Sequence, residues 1–408
     1  MTREMPREAA WRGTGLQLGH PAGQRTGEMM RAAMRQAMPQ MMSHVSPPET
    51  KRERKPDPRH PSPPRPAQSG AAPAPAALDL LCDVPVPLRM RFADDLTRHL
   101  AAHRASTGEA FSCQVPVGQG GASPFDHLRR IRALEAFPRM LVSARQGNAF
   151  NRRFHAAHVA GGAFASAQPE GVAPVFEAAG LVDPRGWIGV YAVAPFVMLV
   201  DRVRLGTRPL PRSWTDLAEP EWRGEVSFGG WRRPGARHHA ALNTFFLLAM
   251  LRLIGPDRLV RLLANVPALT HSAQMPRIAG TGASVAAVYV VPWSLADICP
   301  RRARTAVVWP REGALAYPLW STVQAAQRGR VAPLLDHLHG TATADFLDRN
   351  RYPALAPGRR PGLPEGARLV WPGWDYARHP AAARDLKQVV ALFQEGRAQR
   401  SGEERRCA

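Results

Sequence analysis

Pro211-Arg212-Ser213-Trp214-Thr215-Asp216-Leu217, continued by Pro220-Glu221-Trp222-Arg223-Gly224-Glu225-Val226, lies near the middle of a 408-residue chain. Ser213 ahead of Trp-Thr-Asp-Leu predicts a capped helical turn, because its side-chain oxygen can take a free backbone N–H. Glu225 to Phe228 predicts a short strand that ends in Gly229-Gly230. Immediately upstream, Trp187 to Val203 is long, apolar and strand-like, with Pro195 expected to break it. Downstream, His239 to Ile254 and Pro256 to Ala264 predict two helices. Val285 to Val291 and Thr305 to Trp309 predict strands, Gln324 to Arg349 predicts helices, and Ala381 to Glu395 predicts a last helix.

Toward the N-terminus the pattern alternates. Ala77–Val84, Phe111–Val117 and Arg139–Ala144 read as strands. Phe92–His103, Pro124–Glu135 and Asn148–Val159 read as helices. Apolar strands alternating with helices predict a parallel sheet covered on both faces, an α/β fold. Residues 1–76 read as a tail outside the core. Ten prolines and the cluster Lys51-Arg52-Glu53-Arg54-Lys55 fall within residues 45–76, too little apolar surface to order the segment. Met29, Met30, Met34, Met38 and Met41 recur at helical spacing, as a helix that docks on a partner or as a transient one.

The formal net charge is +21, and only Lys51, Lys55 and Lys387 are lysines, so the excess is arginine. This charge permits nucleic-acid or anionic-surface binding, but the arginines are scattered and no zinc-finger, RRM or KH pattern occurs. Cys82, Cys113, Cys299 and Cys407 form no C-x-x-C pair, which argues against structural zinc and a disulfide framework. Residues 1–30 hold no apolar run of a secretory signal, and no stretch is long and apolar enough to span a bilayer. No G-x-S-x-G elbow or Ser/His/Asp set occurs.

The sharpest local feature is Gly118-Gln119-Gly120-Gly121-Ala122-Ser123-Pro124-Phe125-Asp126, between a strand and a helix. Ser123 fits the N-cap and Pro124 the first helical position. The loop reads as a cradle for an anionic or carbonyl oxygen, or equally as a well-capped helix after a tight turn. Ser143 ends the third strand at the same sheet edge, where ligands of open α/β sheets bind. Gly230 and Trp231 follow another strand end, and His238 comes next as polar cleft lining or a helix start. Tyr289 and the Trp309-Pro310-Arg311-Glu312-Gly313-Ala314 stretch stand at further strand ends, as cleft edges or as core.

The Ser-Trp-x-Asp-Leu and Pro-x-Trp-Arg-Gly-x-Val elements, with Leu199-Val200-Asp201 and Trp309-Pro310-x-Glu312-Gly313-Ala314, resemble bacterial extracellular solute-binding proteins of the iron/polyamine-type group. These are the receptor components of ABC importers. The resemblance spans roughly residues 77–395. It implies a two-lobed type II periplasmic-binding-protein fold, each lobe a mainly parallel sheet flanked by helices, joined by two crossover strands near Tyr191–Val197 and Glu312–Leu319. It implies residues 77–190 and 318–395 in lobe I, 191–317 in lobe II, and a frayed end at 396–408. The implied ligand-binding set is Gly120, Gly121, Ser123 and Ser143 on one side and Gly230, Trp231, His238, Tyr289 and Gly313 on the other. No catalytic residue, metal ligand or cofactor is implied. The implied solute is small and oxygen-rich: an anion, a metal chelate or an organic acid. The implied partners are an ABC permease and its ATPase, the chain being a monomer without nucleic acid. The resemblance implies the periplasm, whereas the lack of a visible signal fits a cytosolic ligand sensor on the same fold. Ferric-ion members carry a consecutive Tyr-Tyr pair; here Val290 follows Tyr289, which argues against bare iron. An enzyme on this fold has only Cys113 as a nucleophile candidate.

Overall fold

The computed structural model describes residues 78–116, 124–128, 130–144, 151–229 and 241–407. The expected tail 1–76 lies outside these residues.

Strand β1 (Leu80–Asp83) is buried along its length and leads into helix α1 (Arg89–Thr107). Helix α1 stops at Gly108, whose positive φ of 77° suits a residue without a side chain. Strand β2 (Cys113–Gln114) is shorter than the run Phe111–Val117 predicts. It sits at the sheet edge with β1 as its partner, and Pro116 has no N–H to extend the ladder. The helix expected over Pro124–Glu135 resolves into Pro124–Leu128 and a 3-10 turn at Leu134–Ala136. Strand β3 (Met140–Ser143) pairs in parallel with β1. The next helical stretch begins at Asn151, whose Oδ1 accepts the Phe154 N–H at 2.9 Å.

After β4 (Phe164–Ala165) comes β5 (Gly189–Asp201), buried from end to end. Gly189 is required where β5 starts, because a Cβ there would lie 2.5 Å from the Gln168 nitrogen. Pro195 does not break the strand. Neighbours hold β5 along its whole length, so the missing N–H costs one bond and not the element. Strand β6 (Val226–Phe228) precedes helix α2 (Ala241–Ala264), in which Gly255 (φ 80°, ψ 170°) ahead of Pro256 makes a kink. The two expected helices are the two arms of that kink. Strands β7 (Val288–Pro292), β8 (Thr305–Val308) and β9 (Ala314–Gln324) follow, then helices α3 (Ala332–His339) and α4 (Thr341–Arg349). Strand β10 (Leu369–Val370) and helix α5 (Pro380–Cys407) complete the described chain. Helix α5 runs past the expected end at Glu395. Gly396 explains why: its bare backbone packs on α2, where a Cβ would lie 2.7 Å from Leu263 Cβ.

One sheet connects everything, in the order β2-β1-β3-β9-β5-β7-β6, with β4 and β10 on β9 and β8 on β5. Pairing is parallel in β2-β1-β3 and in β6-β7, and antiparallel wherever the two long strands β5 and β9 take part, except that β10 runs parallel to β9. Strands β5 and β9 are the crossover strands that carry the sheet from one half to the other. The buried residues of both halves, including Leu80, Met140, Phe196, Phe245 and Leu334, belong to one apolar core.

Candidate functional site

Both halves aim their strand ends at the same place. Ser143, at the carboxyl end of β3, stands opposite Trp320 of β9. Just beyond it, the Ala144 carbonyl accepts the Tyr317 hydroxyl at 2.8 Å. From the other half, Pro292 at the carboxyl end of β7 pairs with Phe196 of β5, and Gly229 after β6 donates to the Val290 carbonyl. Phe196, Pro195 and Ala194 of β5 pair with Leu315, Ala316 and Tyr317 of β9. The carboxyl ends of β1, β3, β6 and β7 therefore converge on the middle of the β5–β9 ladder, the position where open α/β sheets bind ligands.

That midpoint is weakly laddered. Pro195 on β5 and Pro318 on β9 lie two register steps apart and lack N–H groups, and Val193 donates to the Pro353 carbonyl (3.0 Å) instead of to β9. Aromatic rings gather beside it. Phe245, in the first turns of α2, meets Tyr317 edge-on at 4.9 Å, stacks on Trp371 at 6.2 Å and touches Phe196 at 5.4 Å. Thr244 is 8% exposed, and its Oγ1 has no hydrogen-bond partner among the described residues; the buried Trp371 Nε1 is likewise unpartnered. Leaving such a group unpaired costs about 1–3 kcal/mol each. Both can donate, and Thr244 sits where the helix dipole is positive.

Of the expected site residues, Ser143 is buried at the convergence point. Tyr289 is engaged by its own turn. It is fully buried, and its hydroxyl accepts the Val285 N–H (2.8 Å) and the Ala286 N–H (3.2 Å) and pairs with the Ser284 hydroxyl (2.9 Å), pinning the preceding turn. Gly313 is a packing residue as well. Its φ is 123°, and a Cβ would lie 2.9 Å from the Arg368 carbonyl carbon, so β10 can approach only because the side chain is missing. Gly120, Gly121, Ser123, Gly230, Trp231 and His238 lie outside the described residues. In chain order they follow β2 and β6.

The two sequence elements that carried the family resemblance meet in space. The Trp214 indole N–H donates to the Gly313 carbonyl at 2.9 Å, the Ser213 hydroxyl donates to Glu312, and the Arg311 N–H donates to the Arg212 carbonyl at 2.8 Å. Asp216 accepts from the backbone nitrogens of Arg212 and Ser213, fixing the turn. They form a clasp at the start of β9.

All five tyrosines are described, and none forms a phenolate pair at the convergence point. Tyr289 and Tyr317 are engaged as above. Tyr352 takes a hydrogen bond from Ser294, and its burial pushes the phenol up to about 12. Tyr376 pairs with Asp385. Tyr191 is buried and unpartnered, and burial, with Cys82 and Asp83 nearby, holds its phenol well above the usual range. Among the described residues no group of three or more His, Cys, Asp or Glu is placed to hold a metal ion.

The sequence pattern of the bacterial extracellular solute-binding proteins matches residues 135–380. The chain belongs to that family. No curated protein matches the chain. Among solved structures, a Bordetella ferric binding protein is 14% identical, covering 74% of this chain and 95% of its own, with a TM-score of 0.50. A two-component system protein that mediates signal transduction is 10% identical, covering 77% and 99%, with a TM-score of 0.51. At such identities these matches show the fold, which is that of type II periplasmic binding proteins. Members of the solute-binding family capture small solutes without transforming them, so this chain is a binding protein and not an enzyme. Family members work outside the cytoplasm, and no helix among the described residues is long and apolar enough to cross a membrane. Phe245, Tyr317 and Trp371, with Thr244 beside Phe245 in the chain, escaped the sequence reading, because they come from three distant segments that meet only where the start of α2 and the end of β10 reach β9.

Proposed function

We propose that this solute-binding protein is the periplasmic receptor of an ABC importer and captures a small oxygen-rich solute at the middle of the β5–β9 ladder. One observation carries the reading: the buried Trp371 indole N–H stands without a partner within the aromatic wall at the strand-end convergence, and the hydroxyl of Thr244, next to Phe245 in the chain, is unpartnered too. A solute rich in acceptor oxygens would satisfy both and relieve the desolvation cost. In this reading residues 77–190 with 318–395 form one lobe and 191–317 the other. The proline-interrupted ladder is the hinge, and closure stabilises the bound state only through differential affinity. Gly120, Gly121, Ser123, Ser143, Gly230, Trp231 and His238 would supply further contacts. The absence of a tyrosine pair favours an organic anion or a chelate over a bare ferric ion. The permease and its ATPase are the proposed partners, with the receptor acting as a monomer.

The test is thermal stabilisation of the full chain by phosphate, citrate, hexose phosphates, amino acids and ferric ion alone. A ligand at a hundredfold excess over its Kd stabilises by about 2.7 kcal/mol. Thr244→Val and Trp371→Phe should each weaken binding roughly tenfold while leaving the unliganded protein as stable or more so. Binding of ferric ion alone with both variants unaffected would overturn the reading.

A further inference from the structure

The end of β5 away from the ladder midpoint carries a second feature, independent of the proposed solute site. Asp201 closes the strand. Its buried carboxylate accepts the N–H groups of Val203 (3.0 Å), Arg204 (3.2 Å) and Gly280 (2.7 Å), which draws the Gly280 turn against residues 202–205. Arginines collect around that turn. The Arg202 N–H donates to the Arg304 carbonyl and the Arg304 N–H to the Arg301 carbonyl, both at 2.9 Å. The Arg301 guanidinium donates to the Arg277 carbonyl at 2.7 Å. A Cβ at Gly280 would lie 3.1 Å from Arg304 Cβ and 3.3 Å from Arg301 Cβ. Four guanidinium-bearing residues thus surround one turn.

Their charge is not neutralised locally. Arg202, Arg277 and Arg304 are exposed, and among the described residues their side chains have no carboxylate partner. The neighbouring acids are engaged: Asp201 with backbone amides, Asp297 with Arg302 and Arg351, Glu225 with Arg204 and Arg208. Apolar side chains stand in the same place. Val203 is 64% exposed, Val307 45% and Val285 38%, half of the large hydrophobic residues exposed among those described. Val203 follows Arg202, Val307 lies on β8 just after Arg304, and Ser284 beside Val285 accepts from Arg204 at 3.1 Å.

We propose that this end of the molecule docks on an anionic phospholipid surface. Guanidinium forks match phosphate oxygens, and exposed valines among them can enter the headgroup–acyl boundary. A nucleic acid would satisfy the arginines but offers nothing to the valines, and no aromatic side chain is among them to stack on a base. From Pro195 to Asp201, β5 extends about 20 Å, so docking here leaves the proposed solute site open.

The test is flotation of the full-length protein with vesicles of phosphatidylcholine alone and of an even phosphatidylcholine–phosphatidylglycerol mixture, at low and at high salt. The expected result is binding to the anionic vesicles only, lost at high salt. Each basic charge at such a surface is worth roughly fivefold, so Arg202→Ala with Arg304→Ala should weaken partitioning on the order of thirtyfold. Val203→Ser should weaken the low-salt binding as well, because it removes the apolar contact without removing a charge. Unchanged melting temperatures certify that the variants fold. Undiminished partitioning of the double variant would assign any membrane binding to other residues and overturn the proposal. So would equal binding to neutral vesicles, no binding to anionic ones, or duplex DNA binding as tightly through the same arginines.

Discussion

Replacing Gly313 by alanine tests whether the clasp at the start of β9 is built as described. Two costs add. The backbone at φ 123° is a conformation that residues with side chains avoid, worth roughly 1–3 kcal/mol. The new methyl would lie 2.9 Å from the carbonyl carbon and oxygen of Arg368 and 3.0 Å from the Leu369 nitrogen. Those atoms are backbone, so β10 must move, at a further cost of roughly 1–3 kcal/mol. The Trp214 N–H would lose alignment with the Gly313 carbonyl as the strand shifts. The expected loss is therefore about 2–6 kcal/mol, measured by guanidinium unfolding followed by far-UV circular dichroism and tryptophan fluorescence. Gly358→Ala is the control. It also has positive φ (64°), but nothing lies within 4 Å of its Cβ, so only the backbone cost of about 1 kcal/mol applies. If both variants lose the same amount, close approach of β10 is not what Gly313 provides.

Other outcomes follow from the same geometry. Gly396→Ala should destabilise by about 1–3 kcal/mol and raise hydrogen exchange in α5, because the methyl meets Leu263 and Val260. Gly402→Ala, with open space around it, should be neutral or stabilising through helix propensity, and an equal loss there would refute the packing argument. Desolvation by burial lowers His337 and His339 to about 4, with His99 reinforcing the first and Arg328 the second. The unfolded chain then binds more protons, so stability is full above pH 6.5 and falls between 6.5 and 4, by about 2–3 kcal/mol for His339 and less for the more exposed His337. His339→Gln should flatten that pH profile, and an unchanged slope would show that other groups set it. Asp183 resists the pull of burial because Arg378 and the backbone nitrogens of Arg185, Trp187 and Ile188 hold its carboxylate below the ordinary range. Asp183→Asn should cost about 2–4 kcal/mol in urea unfolding, and a loss under 1 kcal/mol would mean the network is dispensable.

Much of the fold is legible in the sequence because it is local. The apolar runs at Leu80, Met140 and Gly189 become strands near their expected places, and the Gly255-Pro256 pair marks the kink of α2. Strand β9 was legible only through the family resemblance, since Pro318 and its mixed composition hide it from a periodicity reading. The candidate site was read less well. Gly313 and Tyr289 have the residue types of a binding edge, but only three-dimensional contacts reveal that one admits β10 and the other holds a turn. Conversely, nothing marks Thr244 and Trp371 in one dimension. Their lack of partners is a property of the folded core.

The central place of β9 in the sheet has a consequence for biosynthesis. Strand β3 ends at Ser143, and its antiparallel partner is not complete until Gln324, 181 residues later. At roughly 5–20 residues per second, the nascent β2-β1-β3 unit waits about 9–36 s with one side of β3 unpaired. An open apolar strand edge is a template for pairing with another chain. While that interval is being completed, the unpaired edge of β3 is thus a point of exposure to aggregation. Chaperone demand should depend on the length of that interval more than on the stability of the finished fold.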